Sequence, residues 1–256
     1  MSLELVITPF DSWSAPPNDL RLTSDEVHCW RTTLNRTETE IKRLWQTLAP
    51  DEQERARRFR FDKHRRHFII ARGLLRAILS RYLEIEPREV ELCYSPYGKP
   101  ALAPEHGDEP LRFNLSHSGE LALYAFNCSR DIGIDVEHVR SEFAEMEIAE
   151  RFFSRREFAA FVSLPEALRT IGFFNCWTRK EAYIKARGEG LSFPLDKFDV
   201  SLAPDEPAAL LHTDGNTREA ERWSLSDLQA GTGYSAALAV EGRNWRLSCW
   251  QEPENR

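Results

Sequence analysis

Ile132, Ile134 and Val136 alternate with Gly133, Asp135 and Glu137, the period of a strand with one apolar face. Both acids therefore point to one side, ~7 Å apart along the strand, close enough to converge on one cation. Further on, Trp177, Glu181 and Lys185 recur every fourth residue, so a helix stacks them on one face. Each pattern has a plain alternative. An acid pair on a strand can be a solvated face, and a Glu-to-Lys pair at i,i+4 can be an ion pair of roughly 0.2–0.5 kcal/mol that only steadies its helix. Brought together, hard oxygen donors beside a lysine suit a divalent cation and the phosphates it binds.

The rest of the chain reads as a mixture of helix and strand. Residues 1–22 are Pro-containing and irregular, an extended surface arm. Thr37-Glu38-Thr39-Glu40 is a capping box opening a helix through Leu48. Pro50, Asp51 and Glu52 open a second helix. Asp62 caps a long third one to Tyr82, with Phe68, Leu75, Ile78 and Leu79 in its apolar stripe. Strands follow over 90–94, then, after a Ser-Pro-Tyr-Gly turn, over 111–115 and 121–126 as a hairpin. The second half repeats this plan. A strand at 132–137 leads to helices over 144–163 and 170–187, the latter stopped near Gly188 and Gly190. Strands return at 198–202, 222–225, 235–240 and 245–250, and Phe113-Asn114-Leu115-Ser116 echoes Trp223-Ser224-Leu225-Ser226. The fold class is α+β, with a subdomain over 1–128 and a second over 129–256 that carries the acids.

Composition narrows the function. No run reaches the ~18 apolar residues of a membrane span, and the N-terminus lacks a basic region followed by a signal-length apolar core. Five cysteines, Cys29, Cys93, Cys128, Cys176 and Cys249, are odd in number and form no CxxC pair. They predict free thiols in a reducing cytoplasm, with neither zinc site nor disulfide frame. A net charge of −7 argues against a nucleic-acid binder. Against it stands a basic island, Arg55, Arg57, Arg58, Arg60, Lys63, Arg65, Arg66, Arg72 and Arg76, opposed only by Asp62. That is a solvated helix face or an anion-docking surface.

Four segments carry a resemblance. Gly133-Ile134-Asp135-Val136-Glu137, Trp177-Thr178-Arg179-Lys180-Glu181 through Lys185, Asn114-Leu115-Ser116-His117-Ser118, and Gly98-Lys99-Pro100 stand in order between about residues 50 and 200. With them the chain resembles the 4′-phosphopantetheinyl transferases, specifically the large, surfactin-synthetase-activating type. The resemblance implies a pseudo-twofold pair of similar subdomains with the active site in the cleft between them. It implies transfer of 4′-phosphopantetheine from coenzyme A, the donor, to a serine of an acyl or peptidyl carrier protein, releasing 3′,5′-ADP. A duplicated fold implies a monomer. Competing classes are a non-catalytic coenzyme A or nucleotide-binding regulator and a Mg²⁺-dependent phosphohydrolase.

On the same resemblance, Asp135, Glu137 and Glu181 look like Mg²⁺ ligands, with Glu181 also the base that deprotonates the serine. Lys185 looks like the residue that steadies or protonates the leaving phosphate. Ser116, His117 and Lys99 look like coenzyme contacts, as do Arg58, Arg66 and Arg72 from the basic island. His117 could equally close a turn. Lys180 is a coenzyme or carrier contact or a surface lysine, and Trp177 packs in the core or stacks on ligand. The segment 143–161, with Arg155 and Arg156 among its phenylalanines, faces its own core and could in part dock a carrier.

Overall fold

In the computed structural model, residues 13–106, 111–144, 146–214 and 218–252 are described. The first half runs β1 (Glu26–Thr33), α1 (Glu38–Thr47), α2 (Pro50–Arg57), α3 (Asp62–Leu83), β2 (Leu92–Tyr94), β3 (Pro100–Leu102), β4 (Leu111–Ser118) and β5 (Leu121–Cys128). The second runs β6 (Ile132–His138), α4 (Met146–Phe152), α5 (Arg155–Ser163), α6 (Glu166–Arg187), β7 (Phe198–Val200), β8 (Leu210–Thr213), α7 (Glu219–Arg222), β9 (Trp223–Asp227), β10 (Tyr234–Glu241) and β11 (Arg246–Gln251).

The plan occurs twice. A strand (β1, β6) leads to a 22-residue helix (α3, α6), a two-stranded hairpin (β2–β3, β7–β8) and a pair of strands (β4–β5, β9–β10). The strand order is β1-β5-β4 in one sheet and β6-β10-β9 in the other. Strand alternation sorts the apolar side chains into layers. Trp30, Tyr124 and Phe126 face Ile70, Leu75 and Ile78 of α3, and Ala237 and Ala239 face Ala182, Tyr183 and Ala186 of α6. Between the sheets lie Val27, Cys29, Leu123 and Ala125 on one side and Ile134, Val136, Leu238 and Val240 on the other. Helix, sheet, sheet and helix therefore stack in four layers, the α+β duplication expected.

Several expectations change in detail. The capping box of α1 is present, Thr37 Oγ1 accepting from the Glu40 amide at 3.3 Å while the Glu40 carboxylate accepts from Thr37 N–H at 2.9 Å. Asp62 is the first residue of α3, whose N-cap is Phe61. The helix expected over 144–163 is two, because Ser154 caps a new start. Strands β1, β3 and β8 had no counterpart in the sequence reading. β11, assigned above to the second subdomain, instead pairs in parallel with β1 and extends the first sheet, with Ser14 bridging to Trp250. The surface arm expected over 1–22 lies outside the described residues up to position 12. The helix stop is as expected: Gly188 takes a left-handed φ of 77° that a side chain would strain.

One glycine decides where the site sits. A Cβ on Gly133 would lie 2.1 Å from the Ala182 carbonyl and 2.3 Å from the Ala186 amide. Only a residue without a side chain lets β6 lie directly on α6, which brings the strand's acids to the helix's Glu181 and Lys185.

Candidate active site

β4 and β6 are edge strands of different sheets and lie alongside each other. Phe113 and Leu115 of β4 pack toward α3, so Asn114, Ser116 and Ser118 point the other way, at β6. Asn114 Oδ1 accepts from Ile134 N–H at 2.9 Å. Ser116 Oγ donates to Asp135 Oδ1 at 2.8 Å. Ser118 Oγ donates to Glu137 Oε2 at 2.7 Å and accepts from His138 N–H at 3.1 Å. Side chains at period two thus stitch the sheets together at the two acids.

Lys185, one helical turn beyond Glu181, places its ammonium 2.6 Å from Asp135 Oδ1 and 2.8 Å from Ser116 Oγ. The other oxygen, Asp135 Oδ2, is buried without a hydrogen-bond partner. Burial, then the Asp135 charge, raises the Glu181 carboxyl from 4.5 to about 7; Lys185 eases this and Glu137 adds to it. Glu137 is raised for the same first two reasons, with Ser118, Lys185 and Arg140 opposing. The Asp135 charge raises both glutamates, so the three carboxyls share one field that Lys185, with Arg140 near Glu137, eases without cancelling.

Among the described residues no three His, Cys, Asp or Glu side chains are gathered to hold a metal as they stand; the Lys185 ammonium sits on Asp135 Oδ1. The residues nonetheless fit a hard divalent cation. The donors are all oxygen, one buried carboxylate oxygen has no partner, and two further carboxyls are raised by burial and by the Asp135 charge, which a bound cation would offset.

His117 belongs to strand β4, so it closes no turn; the turn is at Gly119, φ 57°. It sits on the α3 side of β4. The protein around it, then His67, Lys185 and His64, hold its imidazole below the ordinary range, although one face stays open to solvent. Arg72 is buried; its Nε stands 3.4 Å from Glu52 Oε1, and its Nη1 has no partner. The rings of Phe68 and Tyr94 flank its guanidinium. Arg66 pairs with Glu38, and Arg58 is largely exposed, 3.4 Å from Glu54. Lys99 gives two hydrogens to main-chain carbonyls, Ile132 at 3.0 Å and Ala186 at 3.1 Å, and burial lowers it to about 8. It ties the Gly-Lys-Pro turn to the start of β6 and the end of α6.

Lys180 is a correction. It neither contacts an open site nor lies on the surface: 1% exposed, it donates to both oxygens of buried Glu157, at 2.7 and 2.6 Å, and to the Phe198 carbonyl at 2.7 Å. The ~100° between successive helical residues turns it into the core while Glu181 faces β6. Trp177 stacks on Phe173 and meets Phe152 edge-on, packing the core while lining a recess of about 300 Å³ with Glu137, Phe143, Ile148, Phe152 and Phe174. The sequence reading missed Asn114 and Ser118 as partners of β6. Their spacing with Ser116 was the available signal, since every second residue of a strand shares a face.

The raised carboxyl makes stability depend on pH. Between 4.5 and about 7, folded Glu181 holds a proton that the unfolded chain has lost. Stability in EDTA therefore falls as pH rises through that window. Melting temperatures in EDTA should drop by a few degrees from pH 5 to 7.5, Glu181→Gln should flatten the slope, and Mg²⁺ should restore stability most at the upper end. A wild-type slope equal to that of Glu181→Gln would show that Glu181 is not raised.

Fold and site together define an internally duplicated α+β protein with three carboxyls and a lysine gathered where its two sheets meet. The chain belongs to the 4′-phosphopantetheinyl transferase superfamily. The profile of that description matches residues 131–239, and one described as 4′-phosphopantetheinyl transferase, N-terminal, matches 30–129. The chain is 43% identical to 4′-phosphopantetheinyl transferase HetI of Nostoc sp., over 93% of this chain and 98% of that one. It is 34% identical to 4′-phosphopantetheinyl transferase Sfp of Bacillus subtilis, over 66% of this chain and 73% of Sfp. A crystal structure of Thermotoga maritima holo-[acyl-carrier-protein] synthase aligns with 44% of this chain and 63% of its own at 23% identity, with a TM-score of 0.35. Enzymes of this family move the phosphopantetheine arm of coenzyme A to apo carrier proteins, and this chain is such a transferase.

Proposed function

We propose that the group Asp135, Glu137, Glu181 and Lys185 carries out this transfer to a carrier-protein serine with release of 3′,5′-ADP. The observation that carries the reading is the gathering of three carboxyls, with Asp135 raising both glutamates against Lys185 and Arg140, and Asp135 Oδ2 buried without a partner. Asp135, Glu137 and Glu181 would hold Mg²⁺, which when bound neutralises the pyrophosphate. A regulator that only bound the coenzyme would have no use for a buried carboxylate cluster.

The chain's own groups do the rest. Glu181, the carboxylate one helical turn from Lys185, takes the proton from the serine hydroxyl. Lys185 exchanges its ion pair with Asp135 for one with the leaving phosphate, with Ser116 and His117 beside it. Arg72, holding one buried unpartnered nitrogen, receives a coenzyme phosphate. Arg58 and Arg66 exchange surface carboxylates for the same anion, and Lys99 offers its third hydrogen. The uncharged pantetheine arm, leaving the phosphates near Glu137, meets the apolar recess there. With a division near 128/129, from which, among the described strands, only β11 crosses back to the first sheet, the acids fall in the second half and Ser116 in the first, so one chain completes the site and acts as a monomer. No described helix is long and apolar enough to cross a membrane, and none of the five cysteines forms a disulfide, which fits a reducing cytoplasm; no role with nucleic acid is proposed.

The test is the intact mass of an apo carrier after incubation with the protein, coenzyme A and Mg²⁺. The expected result is the gain of one phosphopantetheine, absent in EDTA. Release of 3′,5′-ADP without carrier would instead favour a phosphohydrolase. Arg155 and Arg156 are exposed, and reversing both to Glu should raise the KM for an acidic carrier while leaving that for coenzyme A; an unchanged carrier KM would remove them from the docking face.

A further inference from the structure

Ser118 ends β4 with two bonds to β6, one to the Glu137 carboxylate and one from the His138 amide. Those bonds stand where a backbone ladder would be if the sheets were continuous. β6 is an edge strand, and the amides of Ile134 and His138 on its open side are met by Asn114 and Ser118. The position of Ser118 is itself held from the second half. The Tyr234 hydroxyl accepts from Glu120 N–H at 3.2 Å. The same hydroxyl lies 2.7 Å from where a Cβ on Gly119 would stand, so the turn after Ser118 closes against β10. Glu137, half-buried near the recess, receives no other hydrogen bond from a side chain among the described residues.

From this we infer that Ser118 is a positioning residue. By spanning the two sheets it fixes one oxygen of Glu137 and leaves the other free to join Asp135 on a cation, so the setting of one half against the other sets the cation affinity of the site. The inference rests on the reading of Asp135, Glu137 and Glu181 as cation ligands. A hydroxyl that orients a ligating carboxylate typically changes metal affinity by roughly 10–100-fold when removed, whereas a hydroxyl that merely fills space does not.

The experiment titrates Mn²⁺ into the full-length protein without coenzyme or carrier, reading free Mn²⁺ by electron paramagnetic resonance. Wild type, Ser118→Ala, Ser118→Thr and Asp135→Asn are compared. Coenzyme A affinity in EDTA and melting temperature are measured alongside. Ser118→Ala is expected to weaken Mn²⁺ binding about tenfold or more with coenzyme affinity in EDTA unchanged, and Ser118→Thr to restore it. Mn²⁺ binding by Ser118→Ala equal to wild type overturns the inference alone. If wild type binds no Mn²⁺, or Asp135→Asn binds it equally, the cation reading falls and the inference with it.

Discussion

Replacing Asp135 with Asn will reduce carrier modification on the order of a thousandfold, the scale lost when a preorganised charge at a reacting centre is removed. The substitution keeps the shape of the side chain and removes only its charge. Asp135 is 2% exposed, bound by Ser116 and Lys185 through one oxygen, and its charge is the second cause, after burial, that raises both Glu137 and Glu181. Neutralising it takes away the donor with a free buried oxygen. It also releases Lys185 and lets the other two carboxyls ionise more readily. Coenzyme A binding in EDTA should therefore hold or strengthen, because less negative charge faces the pyrophosphate. Glu181→Gln should lose a further distinct function, proton acceptance, worth about 10²–10⁴ in rate. Single-turnover transfer from radiolabelled coenzyme A measures both. A rate for Asp135→Asn within tenfold of wild type would show that the acid is a structural partner of Lys185 and nothing more.

How much of this was legible in the sequence depends on what kind of signal each element left. Asp135, Glu137, Glu181 and Lys185 were legible because period two and period four are fixed by backbone geometry, and Gly133 leaves no Cβ to part β6 from α6. β1 was not legible, because polar His28 and Thr32 are buried in it beside Val27, Cys29 and Trp30, leaving no alternation to see. Yet the repeat required it: if β4 echoes β9, a strand must precede α3 as β6 precedes α6. β3 and β8 are three or four residues long, too short to show a period. The β11 crossover to β1 is a long-range pairing that no local pattern carries. Lys180 misled for a different reason. Helical spacing says which way a side chain points, but the partner that draws it inward, Glu157, comes from another helix.

Lys180→Met will unfold the protein more readily, by about 3–5 kcal/mol, the usual loss when a buried ion pair keeps one charge and loses the other. The melting temperature should fall by roughly 6–20 °C for a chain of this size. Glu157 is 2% exposed and serves three masters: the Lys180 ammonium, the Ser154 amide at the start of α5, and the Val200 amide of β7. Without Lys180 its charge has two amides and no cation, and burial already disfavours its ionised form. Glu157→Gln in the Lys180→Met background removes that charge while keeping an oxygen for the amides, so the double variant should recover most of the loss. Lys185→Met supplies the contrast. Lys185 is 28% exposed at its side chain, although its acid partner is buried, so its loss should lower the melting temperature less than that of Lys180 while cutting the rate of transfer. The two lysines are five residues apart on one helix, one facing the core and one facing the chemistry. Differential scanning calorimetry together with carrier modification separates them. A Lys180→Met protein that melts like wild type but fails to modify carrier would return Lys180 to the active site and refute the structural role.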